Sequence, residues 1–257
     1  MDRRLEHRVV LVTGGGSGIG RATALDVAAR GGTPAILDRD VDGLAETAAL
    51  VIAAGGPALE LPADVADEDA VRQAVERTVG ELGRLDGVVT AAGIFDGPDL
   101  QPLADVTLET FNRVLSINLT GTFLAIKYAI PHLVRDDGGE RSSVVTIAST
   151  AALRGHGFGS GYTASKGGVT ALTKLVAVQY GPHGIRANCI CPGAVDTPMT
   201  NGAWDDDASR ARMKRAIPLG VVASAAEIAS VAGFLLSTEA NHVTGQVIAV
   251  DGGSTAI

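Results

Sequence analysis

In the stretch GYTASKGG, residues 161–168, a tyrosine and a lysine stand four positions apart, Tyr162 and Lys166. On a helix that spacing places both on one face. An ammonium near a phenol favours the phenolate and brings a pKa of about 10 toward working pH, as general acid–base catalysis requires. Ser149 lies 13 residues earlier, at the end of the apolar run SVVTIAS (143–149), which reads as a strand. The carboxyl ends of parallel strands line the ligand crevice of an open α/β sheet, so a hydroxyl there could bond a substrate oxygen. Singly, each residue has a plain structural account: Tyr and Lys meet on many helices, and a strand-end serine can be a cap.

A second set points to a phosphate. The strand VVLVT (9–13) runs into TGGGSGIG (13–20) and then a helix. A glycine-rich turn lets the backbone approach a phosphate, and the helix N-terminus supplies free N–H groups and a favourable dipole. The spacing is T-G-x-x-x-G-x-G, carried by Thr13, Gly14, Gly18 and Gly20, with Ser17 and Ile19 between them; it is not G-x-G-x-x-G. Asp38 ends the second strand, 18 residues after Gly20. An acid there accepts from adenosine ribose hydroxyls and repels a 2′-phosphate, which reads as NAD, although Asp also starts turns and Arg39 beside it could bind that phosphate. Asp64 and Val65, after the third strand, could bracket the adenine, with a helix N-cap as the other account of Asp64. Ala91, Ala92 and Gly93 keep the floor of the site free of bulk.

These residues need a frame. Short β-branched runs alternate with helical patterns: strands at 9–13, 35–38, 58–62, 85–91, 143–149, 185–192 and 246–250, and helices at 18–30, 42–54, 67–82, 108–135, 162–180 and 225–237. Strands this apolar need cover on both faces, and right-handed crossovers then give a doubly wound, seven-stranded parallel sheet, an α/β fold in one domain spanning 1–257. The segment 196–216 reads as irregular and long enough to be a lid.

Composition narrows the function classes. The chain has 257 residues, 46% of them apolar, which suffices for a core without staples. A net charge of −8 with no basic block argues against nucleic acid. Cys189 and Cys191 share one face of a strand and read as core residues, since C-x-C with no clustered His is no zinc framework. The histidines are scattered, so no metal site is expected. The N-terminus has no signal-like apolar region and no uncharged apolar run reaches membrane-spanning length, so a cytoplasmic protein without a membrane partner is expected.

Together these features resemble the classical short-chain dehydrogenases/reductases, and the resemblance covers nearly the whole chain. It rests on TGGGSGIG, the spacing of Ser149 to Tyr162-Thr163-Ala164-Ser165-Lys166, Asn118 in NLTG, PGAVDT (192–197) and VDGG (250–253). The resemblance implies a Rossmann fold and roles for the residues. Tyr162 would be the acid/base, Lys166 its tuner and a holder of the nicotinamide ribose, Ser149 the polariser of the substrate oxygen, and Asn118 the anchor of a relay water. Thr197 and the backbone at Val195 would orient the carboxamide, with Pro192 and Gly193 in the same cofactor-binding turn. It also implies a homotetramer formed by long helices and the last strand, and a small alcohol or ketone substrate.

The family's Asn-Ala-Ala-Gly motif reads Thr90-Ala91-Ala92-Gly93 here, a hydroxyl in place of an amide. Two other readings stay open: an NADPH-dependent ketone reductase resembling the 3-oxoacyl carrier-protein reductases, supported by Arg39, and a cofactor-binding regulator without turnover. His156, Met199, Trp204 and the acids Asp205, Asp206 and Asp207 border the expected substrate region and are given no role.

Overall fold

The computed structural model describes residues 4–95, 97–135, 138–155, 158–201 and 206–256. Its centre is a parallel sheet of seven strands in the order β3-β2-β1-β4-β5-β6-β9. These are β1 (Val9–Thr13), β2 (Thr33–Asp38), β3 (Leu59–Pro62), β4 (Gly87–Thr90), β5 (Ser142–Ile147), β6 (Ile185–Pro192) and β9 (Val247–Val250). Two further strands absent from the sequence reading, β7 (Val195–Asp196) and β8 (Ala223–Ser224), pair beside it.

Strand periodicity sorts the side chains. Val9 and Leu11 point into a core shared with Ile126, Leu133 and Val176, while Val10 and Val12 point into another with Val27, Ile228 and Leu235. Hence α1 (Gly18–Ala29), α2 (Val41–Ala53) and α8 (Ala225–Leu236) cover one face. Helices α3 (Glu68–Leu82), α4 (Leu108–Leu115), α5 (Gly121–Leu133) and α6 (Ser160–Tyr180) cover the other. The chain leaves β1 toward β2 on one side and reaches β4 on the other, so the order reverses between β1 and β4 and opens a crevice at their carboxyl ends. The amino ends are pinned by Asp86: its Oδ2 accepts from Val9 N at 2.9 Å and from Arg84 Nε at 2.7 Å. Burial opposes its charge, but Arg84, the Val9 N–H and Arg135 outweigh that and hold the carboxyl below its ordinary range.

Three expectations change. The stretch expected as one helix over 108–135 is two α-helices joined by a π-helical turn, Ser116–Thr120, and it stops at Leu133. Although apolar and long, it packs on α3, β4 and β5 as a core helix. Helix α6 begins at Ser160, two residues before Tyr162, and not at 162. The supposedly irregular 196–216 holds a 3₁₀ turn, Pro198–Thr200, and helix α7, Asp207–Ala216. This helix carries almost no apolar stripe, so periodicity does not reveal it; it is started by Asp206, whose Oδ1 accepts from Ser209 N at 2.8 Å. His156, Trp204 and Asp205 lie outside the described residues.

Candidate active site

A cleft of about 230 Å³ opens at the β1/β4 switch point. The glycine loop lines it with Gly14, Ser17, Gly18, Ile19 and Gly20, and β2 adds Leu37, Asp38 and Arg39. Asp64 and Val65 follow from the β3 loop, Ala91 to Ile94 from the β4 loop, and Thr197 to Met199 from the far wall. Ala63, Ile94, Ile117 and Pro198 line it without having been singled out in the sequence, because small or aliphatic walls carry no chemical signature.

The loop is built for close approach. Gly14 has φ +70, and a Cβ on Gly20 would lie 2.0 Å from the Gly14 carbonyl oxygen, so that turn admits no side chain. At the start of α1, Ser17 makes no side-chain capping bond and the first turn holds no acid, which leaves its N–H groups for an anion. These features fit a dinucleotide's diphosphate.

Asp38 fastens this loop as well as lining the cleft. Its Oδ2 accepts from Gly16 N at 2.8 Å and its Oδ1 from Asp40 N at 3.0 Å. Arg21 grips the next peptide, its Nε donating to the Gly16 carbonyl at 3.1 Å. Arg39 leans to Asp64, with 3.7 Å between Nη1 and Oδ2. Asp64 is not the cap of α3, as one reading allowed: Asp67 is, accepting from Ala70 N, while Asp64 turns back to Ala66 N at 2.9 Å.

The chemical residues converge one layer deeper. Asn118, Ser149, Tyr162 and Lys166 are all buried. The π-helical turn places Asn118 inward, where Oδ1 accepts from Ile94 N at 2.8 Å and Nδ2 donates to Ile94 O at 3.0 Å; such turns recur at functional sites. Lys166 Nζ donates to the Ile147 carbonyl at 2.9 Å and stands 3.5 Å from where a Cβ on Gly93 would sit. Ser149 does act as a cap, one of the two accounts open for it. Its Oγ accepts from Ala151 N at 3.1 Å, and its hydroxyl draws the Tyr162 phenol downward. Phe95 meets the Tyr162 ring edge-on at 5.0 Å between centroids, with Phe158 at 6.0 Å, so the phenol sits in an aromatic pocket.

The electrostatics correct one expectation. Burial pushes the Tyr162 phenol above its ordinary value, Ser149 pulls it down, and Cys191 pushes it up. Lys166 does not lower it here: Nζ is 5.6 Å from the ring centroid and bonded to a carbonyl. Burial instead lowers Lys166 itself to about 8.

Pro192, Gly193 and Val195 stand behind the cleft wall. Gly193 N donates to Val250 O at 3.1 Å, and a Cβ there would meet Asp251 at 2.8 Å, so PGAVDT and VDGG fit together. Thr200 Oγ1 donates to Val195 O at 2.7 Å and accepts from Thr197 N at 3.2 Å, fixing the turn that presents Thr197. Thr90 Oγ1 is buried without a hydrogen-bond partner, so the hydroxyl does not replace the amide of the family motif. Cys189 and Cys191 are free and buried as expected, and no metal-holding cluster occurs among the described residues.

Comparison with known proteins agrees with this architecture. Residues 14–255 match the family model described as Enoyl-(Acyl carrier protein) reductase. The chain is 41% identical over 254 residues to 2,5-dichloro-2,5-cyclohexadiene-1,4-diol dehydrogenase of Sphingobium indicum, covering 98% of this chain and 99% of the relative. It is 38% identical over 257 residues, all of both chains, to cis-4-hydroxycyclohexanecarboxylate dehydrogenase of Sinomonas cyclohexanicum. The crystal structure of carveol dehydrogenase from Mycobacterium avium in complex with NAD superposes with a TM-score of 0.92 at 29% identity, covering 99% of each chain. With the glycine loop, the switch-point cleft and the buried Ser–Tyr–Lys set in one frame, the chain belongs to the short-chain dehydrogenase/reductase family of nicotinamide-dependent oxidoreductases.

Proposed function

We propose that the protein is an NAD-dependent dehydrogenase of ring-borne secondary alcohols, or reductase of the matching ketones. The observation that carries this is the burial of Ser149, Tyr162 and Lys166 together beside the cofactor cleft, with the Tyr162 ring held edge-on by Phe95. The names of both relatives describe a hydroxylated six-membered ring, and the apolar walls supplied by Ile94, Phe95, Val114 and Phe158 suit such a ring.

A bound nicotinamide dinucleotide supplies the hydride donor or acceptor. The glycine loop and α1 would hold its diphosphate, Asp38 its adenosine ribose, Asp64 and Val65 the adenine, and Thr197 with the Val195 backbone the carboxamide. The proton is the protein's task. In alcohol oxidation the deprotonated Tyr162 Oη takes the hydroxyl proton; in ketone reduction the phenol returns one to the carbonyl oxygen. Ser149 Oγ donates to the same substrate oxygen and orients it. Lys166 stands by Gly93 to hold a ribose hydroxyl. Asn118 keeps the Ile94 peptide in place and anchors the relay water. The turn at Pro198–Thr200 and α7 would close over substrate, with Met199 at the cleft rim.

Replacing Tyr162 by Phe should lower kcat by at least ~10²-fold while leaving NADH affinity intact; turnover at the wild-type rate would sink the mechanism. Lys166 offers a pH-linked check. Held at about 8 instead of 10.5, its buried ammonium costs roughly 3 kcal/mol at pH 7. The cost fades as pH rises from about 8 to 10.5, where the folded side chain is neutral and the unfolded one still charged. Lys166→Met should therefore raise the urea midpoint at pH 7 by ~1–3 kcal/mol equivalent, gain little at pH 10.5, and abolish turnover. A destabilised variant at pH 7 would contradict this.

NAD is preferred because Asp38 faces the cleft and Arg39 is drawn to Asp64. NADH should bind at least ~10-fold tighter than NADPH in fluorescence titration, and Asp38→Ala should narrow that gap; tighter NADPH binding would favour the rival reductase. Finally, Leu108, Leu175 and Val178 on α4 and α6 are exposed apolar residues, in keeping with a homotetramer. Light scattering should return four times the 26.1 kDa chain mass, and a monomer would refute it.

A further inference from the structure

We propose that Asp99 is a positioning residue for Tyr162: its buried carboxylate holds the first turn of α6 and thereby sets where the phenol stands. The proposal rests on the reading of Tyr162 as the acid/base. Asp99 lies in a 3₁₀ turn, Gly97–Leu100, about sixty positions before the helix it serves. It is 1% exposed. Its Oδ1 accepts from Gly161 N and its Oδ2 from Tyr162 N, both at 2.8 Å, and Ser160 Oγ donates to Oδ1 at 3.2 Å.

The contrast with the other helices shows what this does. Helices α2, α3, α4, α7 and α8 are each capped by their own Asp, Thr or Ser. Helix α6 begins after Gly159, which has no side chain to offer. A Cβ on Gly159 would lie 2.1 Å from Asp99 Oδ2 and 2.7 Å from the Asp99 carbonyl oxygen, so the glycine makes room for the distant carboxylate. A local cap would satisfy the same N–H groups. It would not tie them to the segment that forms the cleft floor. Asp99 does: the segment beginning at Gly93 carries the Ile94 peptide gripped by Asn118, the Phe95 ring against Tyr162, and then the cap. Two carboxylate oxygens on two successive N–H groups fix both the rise and the rotation of that turn, and the second N–H belongs to Tyr162 itself. A charge-assisted bond in a dry site is stiff, and a shift of about 1 Å at a reacting group can cost ~10²-fold in rate.

Asp99→Asn tests this. The amide keeps the shape and one acceptor oxygen but sets an NH₂ against an N–H, so one of the two bonds is lost. The purified variant, wild type and Tyr162→Phe are compared for thermal midpoint, NADH dissociation constant by fluorescence titration, and kcat and KM with cyclohexanol and NAD, well below the midpoint. The expected result is a kcat at least tenfold lower with NADH affinity within twofold of wild type. A smaller fall in kcat, or a fall matched by lost NADH binding, overturns the proposal and leaves Asp99 a stability cap. Should Asp99→Asn not fold, Gly159→Ala, which drives a methyl into the same carboxylate, is judged by the same criteria; failure of both to fold assigns Asp99 to stability alone. Tyr162→Phe separates the two claims: wild-type turnover there removes the acid/base reading itself, whatever Asp99→Asn does.

Discussion

The bond from Lys166 Nζ to the Ile147 carbonyl is the constraint around which the site is arranged. It ties the second turn of α6 to the last residue of β5, with both residues buried. A buried ammonium is costly unless hydrogen-bonded, and a strand's terminal carbonyl, no longer engaged in the ladder, is a partner that can be spared. Once α6 is held there, Tyr162 one turn earlier must face Ser149, which follows the same strand end. The meeting of Ser149, Tyr162 and Lys166 is thus a consequence of how one helix packs on one strand.

Parallel topology supplies the rest. With both faces of the sheet covered, all variation in chemistry is confined to the loops at the carboxyl edge, and the reversal of strand order between β1 and β4 opens those loops into a cleft. Different loops then share structural and binding work. Asp38 lines the cleft and holds the Gly16 N–H, while Arg21 holds the Gly16 carbonyl. Asn118 fixes the Ile94 peptide from a π-helical turn. In each case a side chain with apparent ligand chemistry also sets the backbone that the ligand would touch.

The apolar setting has an electrostatic consequence. Burial raises the phenol and lowers the lysine, so both groups drift toward their neutral forms. The spacing of Tyr162 and Lys166 suggests a direct ion-pair effect, yet the ammonium turns to a carbonyl, 5.6 Å from the ring. The reason is competition: a backbone acceptor at 2.9 Å satisfies the charge better than the face of a phenol.

Read by itself, the sequence determined the strand and helix order, the seven-stranded sheet, the glycine loop and the residues that meet at its edge, because hydrophobic period, glycine spacing and i, i+4 placement are local properties. Helix α7 escaped for lack of an apolar stripe, and β7 and β8 are two residues each, too short for any period to show. What the tertiary structure alone decided is which polar groups meet across long separations. Asp99 looks like an ordinary turn acid until α6 is set against it, and Gly159 like an ordinary flexible residue until that carboxylate occupies the place of its Cβ. The break at Ser116–Thr120 likewise has no signature, since a π-helical turn costs one shifted hydrogen bond and is selected by where Asn118 must point. Such contacts depend on distances between segments tens of residues apart, and only the packed sheet brings those segments into reach.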